Sequence, residues 1–535
     1  MAKKWDIFNQ AGLYTFSSVA SRFFSLMLVP VYTYAMGTGG GEYGILTNYY
    51  AFGSLLMVIL SIGMESTFMR YANKPGVNAA TVYSTALASI WTLTFLFLLC
   101  VFPLSDEISR ILGYPLHAKE TRLMAGVIAL DTLAILPFCN LRYRGEARKY
   151  ALWRVFYGAI NAIGTFYVLI VCPFFAKMDA AAMAAGEECW IANATRWLWD
   201  FWEPGNSLIY AIFCNLFAST VTLLALIDDW KPFGLFRTSN DQFVKCDKQF
   251  DWKLFCTMMS FAIPILCSNL LKIGITYVDR ILYPWLVPGD EGLQQLSIYG
   301  ASFRIAMIMA LTTQILRDVL EPVIFRSAND KRRLMETSRS VAKGYYLSCI
   351  VIFLFMMAWM DVIKQFMLLD TNYWEGIRVV PLLMCAEMGM GVEFYLSFWY
   401  KVEDKPIYGT VFTLIALVSI IAIMWIFVPD YGYMACGWAL VAGSWLRASL
   451  TYIFGLWKSE YKFENRSNWL YFLLGIAVLW LMDYLPTRID GYSLLIKNTC
   501  ATCFTLFALW QAGFFRWLIQ KTRAKNDVLE NKKDA

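Results

Sequence analysis

Charge is what this chain has least of. Of its 535 residues only 16% are Asp, Glu, Lys or Arg, against about a quarter in a soluble protein. Hydrophobic residues make up 59%, and the mean hydropathy is +0.50. Together these exclude a soluble globular protein. Histidine is all but missing: His117 is alone, near Pro115 and Lys119, and is expected to be solvated in an outer loop. A membrane O-acyltransferase, which uses an intramembrane histidine as base, is disfavoured by that lack. No GxxxxGK[ST] phosphate loop is present, so no bound nucleotide is implied. The thirteen cysteines are scattered, and Cys100, Cys139, Cys214, Cys385 and Cys436 sit inside apolar runs, as small apolar packers do. The opening MAKKWDIFNQ is too polar for a cleavable signal peptide, so the first span is expected to stay. A net charge of +6 is modest and points to no nucleic-acid partner.

What is abundant is apolar sequence in lengths that cross a bilayer, about 20 residues each. Fourteen such segments are expected, at about 11–36, 44–68, 80–103, 121–141, 154–175, 206–227, 254–283, 292–320, 343–362, 376–400, 406–428, 432–457, 467–485 and 492–516. The expected fold is therefore an all-α polytopic membrane protein. Between spans, 31 Lys and Arg fall on one side and 8 on the other, alternating along the whole chain. The positive-inside rule then places both termini in the cytoplasm, which requires an even number of spans. The longest outer segment, about 176–205, carries "WIANATRWLWDFWEPGN"; its tryptophans suit a membrane interface, the commoner use, or stacking on sugars.

One motif returns. MESTFMRYANK at 64–74 is matched 256 residues later by LEPVIFRSAND, with Glu65 on Glu321, Arg70 on Arg326, Ala72 on Ala328 and Asn73 on Asn329. At the same offset Tyr43-Gly44 meets Tyr299-Gly300. Six spans separate the copies, so they share one orientation, as in transporters built from two parallel six-helix repeats. The expected organisation is a half at 1–230, a polar cytoplasmic linker at 231–253, a half at 254–457, and two additional helices with a basic tail at 458–535. Glu65, Arg70, Glu321 and Arg326 are read as structural clamps at the cytoplasmic foot of each half.

The stretch "SRFFSLMLVPVYTYAMGTGGGEYGILTNYYAFGSLLMVILSIGMESTFMRYA" resembles the opening of bacterial polysaccharide exporters, the O-antigen flippase type of the multidrug/oligosaccharidyl-lipid/polysaccharide (MOP) exporter superfamily. "FAIPILCSNLLKIGITYVDRILYPWL" is similar to the start of their second half, where a proline precedes an Asp-Arg pair. The glycine-rich insert Gly37 to Gly41 departs from that pattern and lengthens the first outer turn. The resemblance implies a multi-pass protein of the bacterial inner membrane. Its partners would be a polyprenyl-diphosphate-linked oligosaccharide, membrane lipids, and the polysaccharide polymerase and chain-length machinery.

An ionisable side chain at mid-helix costs about 2.5–3.5 kcal/mol to insert, so it faces a cavity or a partner. An arginine fork suits a phosphate in a water-poor site. Arg22 in the first span and Arg304 in the eighth are the leading candidates for a diphosphate, with Lys272, Arg317 and Arg447 beside them. Lys272 and Asp279 are seven apart, and Arg304 and Asp318 fourteen, so each pair shares a helical face. Asp131, Asp279, Arg280, Asp318, Glu387 and Glu393 are candidates for gating or ion coupling, Asp279-Arg280 reading equally as a snorkelling pair near a helix end. Lys497 in the last span is expected to snorkel. No resident cofactor is expected, and H⁺ or Na⁺ would be the coupling ion. The membrane potential is an alternative drive: two negative charges leaving a negative cytoplasm gain on the order of 4–5 kcal/mol per 100 mV. The rival functions are a multidrug/cation antiporter of the same superfamily, which needs an acidic rather than cationic cavity, and a membrane enzyme such as a polymerase.

Overall fold

In the computed structural model, residues 2–184, 196, 199–227, 235–237, 243–245, 250–326, 331–403, 405–458, 466–484 and 493–511 are described. Helices are built where the sequence is apolar, and large apolar side chains face outward as well as inward. In one helix Asn215, Ser219 and Thr222, spaced at one turn, are each 3% exposed, while Phe213 and Phe217 on the other face are each 54% exposed. With hydrocarbon as solvent, outward apolar and inward polar faces are the stable arrangement.

The order is α1 (Ala2–Met36), α2 (Glu42–Ser61), α3 (Met64–Ala72), α4 (Ala79–Val101), α5 (Ser105–Ile111), α6 (Ala118–Arg144) and α7 (Ala147–Phe166). A π-helical turn (Tyr167–Val171) joins α7 to α8 (Cys172–Ala184), and α9 (Ser207–Ala225) follows. A short antiparallel hairpin, β1 (Leu235–Arg237) and β2 (Phe243–Lys245), lies in the linker region. Then come α10 (Trp252–Leu286), α11 (Asp290–Arg326), α12 (Lys331–Ala358), α13 (Met360–Met367), a 3₁₀ helix (Thr371–Val379), α14 (Val380–Leu396) and α15 (Phe398–Val402). The last are α16 (Ile407–Tyr431), α17 (Tyr433–Lys458), α18 (Arg466–Tyr484) and α19 (Ser493–Gln511). Among the described residues, twelve helical segments are long and apolar enough to cross a membrane. The thirteenth and fourteenth segments form α18 and α19, which pack on α12 and on each other.

Boundaries follow local chemistry. Asn78 caps α4 by accepting from the Ala80 amide at 2.9 Å, and Asp251 caps α10 by accepting from Lys253 and Leu254 at 3.0 and 3.1 Å.

Two compact units result, one comprising Met1–Ile305, Met367–Val379 and Thr413–Leu440, the other Ala306–Phe366, Val380–Phe412 and Val441–Ala535. Within the first, small residues let α2 and α11 cross closely. A Cβ on Gly44 would collide with the Leu293 carbonyl oxygen, and one on Gly300 would lie 2.5 Å from Thr47 Oγ1. Gly41, at φ 65°, presses on Leu293, and the Gly44 amide donates to Ser297 Oγ at 2.7 Å. The glycine insert is thus packed: Tyr373 Oη donates to the Gly37 carbonyl at 2.5 Å and Gln294 Nε2 to that of Gly39 at 3.0 Å.

In the second unit, Trp399 Nε1 donates to the Thr451 carbonyl at 3.1 Å, and Arg447 pairs with Glu393 at 2.7 Å. Every cysteine among the described residues is a free thiol, including Cys500 and Cys503, one turn apart on α19.

Candidate functional site

The embedded cations sort by what neutralises them. Arg280 and Asp279 are buried at 5% and 0% exposure, which ends the snorkelling reading. Asp279 accepts from Arg280 Nε at 3.3 Å and from the Tyr299 hydroxyl, while the Arg280 guanidinium lies 3.7 Å from the Phe303 ring centre. The Arg280 carbonyl accepts from Asn48 Nδ2 at 2.6 Å, so the pair pins α10 to both α11 and α2. Lys272 is exposed, away from the buried Asp279. Seven residues are two turns, about 10.5 Å of rise, too far for the two side chains to pair.

Arg447 gives Nη2 to Glu393 Oε2, and Tyr400 Oη donates to Glu393 Oε1 at 3.0 Å. The ligand candidate and the ion-coupling candidate therefore neutralise each other. Arg317 lies 4.7 Å from the Phe394 ring centre, with its buried Nε lacking a hydrogen-bond partner. Glu65 bonds Arg142 of α6, not Arg70; Arg70 sits 4.0 Å over the Phe261 ring. Arg22 and Glu387 are half-buried in α1 and α14. The side chains of Asp318, Glu321 and Arg326 lie outside the described residues.

Two further expectations, one for a loop and one for the last span, are corrected. His117 is not simply solvated: its Nδ1 meets Glu120 Oε1 at 2.9 Å, and its carbonyl accepts from Tyr49 Oη at 3.2 Å. The bond is available because His117 is the residue just before α6, facing the first turn of that helix. Lys497 pairs with Asp361 of α13 at 3.2 Å instead of only reaching for the interface.

Arg304, like Arg317, faces a ring and no bonded carboxylate among the described residues, but three tyrosine hydroxyls gather round it. Its guanidinium stands 5.9 Å from the Tyr50 ring centre and within electrostatic reach of the Tyr32 and Tyr43 hydroxyls. Among the described residues no carboxylate bonds it. Tyr32 is 4% exposed, and its hydroxyl lies near Thr165 and the Tyr50 hydroxyl without a well-formed hydrogen bond to either. A buried, unpaired hydroxyl costs about 1–3 kcal/mol and calls for an acceptor.

From Tyr50 a hydrogen-bonded chain runs through the first unit. Asn215 Nδ2 donates to Tyr50 Oη at 3.0 Å, and Tyr157 Oη donates to Asn215 Oδ1 at 2.8 Å. Tyr157 lies beside Asp131, whose Oδ1 accepts from Ser219 Oγ at 2.7 Å. Arg154, counted in the sequence with the cytoplasmic loops, lies inside α7 within electrostatic reach of Asp131 and 5.2 Å over the Phe138 ring. Sequence reasoning found Arg304 and Asp131 but missed the tyrosines and Asn215 that join them. The signal was there: Asn48-Tyr49-Tyr50 interrupts an apolar span, as Asn215 and Ser219 do one turn apart.

Residues 242–376 match a family model described as "Polysaccharide biosynthesis protein". No curated protein sequence matches the chain. Among solved structures, "Lipid II flippase MurJ, inward closed conformation" superposes with a TM-score of 0.70 at 14% identity, over 95% of this chain and 99% of that one. An inward-facing "multidrug resistance MATE family transporter of the MOP superfamily" gives 0.60 at 14% identity, over 81% and 94%. The "MATE multidrug transporter DinF-BH" gives 0.57 at 12% identity, over 86% and 96%. The fold is thus the one these solved structures share, an all-α multi-pass membrane architecture. The likeness of fold to the flippase structure covers 95% of this chain.

Proposed function

We propose that the protein is a flippase that carries a polyprenyl-diphosphate-linked oligosaccharide from the cytoplasmic to the outer leaflet of the bacterial inner membrane. One observation carries this reading: Arg304 is an embedded cation facing a group of buried tyrosine hydroxyls, Tyr32, Tyr43 and Tyr50, with no carboxylate bonded to it among the described residues. A guanidinium with adjacent hydroxyl donors fits phosphate oxygens, and dryness strengthens each such bond. A cationic drug would meet repulsion there. The family match at 242–376 and the fold shared with a lipid flippase support the same substrate class.

In this reading Arg304, Tyr32, Tyr43 and Tyr50 hold the diphosphate, and Asp131 at the far end of the chain is the H⁺ or Na⁺ site. The test is transport by the purified full chain in proteoliposomes, offered either a fluorescent polyprenyl-diphosphate oligosaccharide or a lipophilic cationic dye. Movement of the lipid-linked sugar without dye transport supports the reading. Dye transport without sugar movement replaces it with the antiporter.

A further inference from the structure

On the bilayer-facing side of the first unit, a groove of about 620 Å³ runs between α7 with its π turn and α9. Its walls include Ile163, Gly164, Val168, Phe213, Cys214 and Phe217. The π turn supplies the opening. One extra residue per turn at Tyr167–Val171 breaks the regular ridge of side chains just where Val168 enters the wall, and such turns concentrate at functional sites. A concave apolar site of this volume is in the range of ligand pockets. It lies against two membrane spans, with Phe201 and Tyr210 at one end, and its walls are apolar, as a hydrocarbon chain requires.

The groove backs directly onto the Arg304 site. Thr165, 0% exposed, lies beside Cys214 of the wall and also beside Tyr32, which faces Arg304. Cys214 and Asn215 are successive residues of α9, one in the groove wall and the other in the chain leading to Tyr50. The depths agree as well. Cys214 lies about 10 Å along α9 from its start, and Tyr32 about 6 Å along α1 from its end.

We propose that the groove between α7 and α9 seats the polyprenyl chain of the transported molecule while its diphosphate is at Arg304. This rests on the function proposed above. A single long chain attached to the bound head group gains the effective concentration that a free membrane lipid lacks.

The test uses the full chain in vesicles of phosphatidylethanolamine and phosphatidylglycerol, with a polyprenyl phosphate bearing a benzophenone on its chain. Photolysis should place the adduct on residues 160–168 and 209–217, and unlabelled polyprenyl phosphate should displace it. Gly164→Phe should fill the groove and cut the adduct about tenfold, the effect of unseating as few as two methylenes. Gly164→Ala, whose Cβ would sit 3.6 Å from Cys214 Sγ in ordinary contact, should keep it, which separates filling from misfolding. Arg304→Ala, which removes the head-group anchor, should weaken the adduct and lose flipping while the remaining label stays on residues 160–168 and 209–217, whereas Gly164→Phe should remove label from those residues, so failure of the head-group site reads differently from failure of the groove. Labels scattered over the whole bilayer face, or equal labelling by a benzophenone-bearing diacyl phospholipid, would overturn the proposal in favour of ordinary membrane lipid.

Discussion

The Arg304 guanidinium lies 5.9 Å from the centre of the Tyr50 ring, and Tyr50 in turn accepts from Asn215 at 3.0 Å. That contact joins the embedded cation to a hydrogen-bonded chain ending near Asp131. Buried networks of this kind stay ordered only when each member is satisfied. The tyrosine hydroxyls at the Arg304 end, Tyr32 among them without a well-formed hydrogen bond, mark where a ligand completes the set.

Asp131 at the other end is expected to couple transport to an ion gradient. Asp131→Asn keeps the bond from Ser219 but removes the charge facing Arg154 and Tyr157. In proteoliposomes the variant should still flip the lipid-linked sugar under an imposed potential and lose its response to a pH or sodium gradient. An unchanged gradient response would remove Asp131 from the coupling.

At the α2/α11 crossing, Gly44→Ala should cost more stability than Gly300→Ala. The Cβ at 44 would strike the Leu293 backbone carbonyl, whereas the one at 300 meets the Thr47 side chain. Overpacking of this kind costs about 1–3 kcal/mol. Adding Thr47→Ala should rescue Gly300→Ala and leave Gly44→Ala unimproved. Thermal unfolding in detergent measures both, and equal penalties would contradict the packing described.

Glu393 and Arg447 form a buried pair between α14 and α17, with side-chain exposures of 4% and 15%. Removing one partner strands a charge, at about 3–5 kcal/mol, while removing both relieves it. Glu393→Gln and Arg447→Met should each destabilise, and the double variant should be milder than either single one. Additive losses would show that the two charges do not interact.

Asp361 on α13 is held below the usual carboxylate range, first by its bond to Lys364, with Lys497 adding to it. A depressed carboxyl stabilises the folded state above its unfolded value of about 3.9, and this contribution is lost as pH falls through the folded value. The group is half exposed, so the effect is at most about 1 kcal/mol. Asp361→Asn should therefore be less stable than the native chain at pH 7, and the gap should close as the pH falls below the folded carboxyl's own value. A gap that persists in acid would assign the loss to packing.

The membrane-spanning architecture was legible because hydropathy sums over some 20 residues, so no single side chain decides it. The first twelve spans stand out this way. The last two are harder to read, since α18 opens with the polar Arg466, Ser467 and Asn468. Embedded charges were legible as charges, but their partners were not, because pairing is tertiary. Nothing local shows that Glu65 takes Arg142 and not Arg70, or that Arg447 takes Glu393. Tyrosines near helix ends suit the interfacial belt, which hid the cluster around Arg304. The motif Tyr-Gly at 43–44 and 299–300 was read as a marker of repetition; the structure brings Gly44 and Gly300 into the same crossing, a role in close packing that spacing alone does not reveal.

The central claim is that Arg304 holds the diphosphate of the cargo. Its direct test is the initial rate of flipping of a fluorescent polyprenyl-diphosphate oligosaccharide by the native chain, Arg304→Ala and Arg304→Lys, reconstituted at equal density. Loss of charged hydrogen bonds should slow Arg304→Ala by about 10- to 100-fold, with Arg304→Lys intermediate, because an ammonium keeps the charge and loses the fork. Flipping by Arg304→Ala at the native rate would contradict the account.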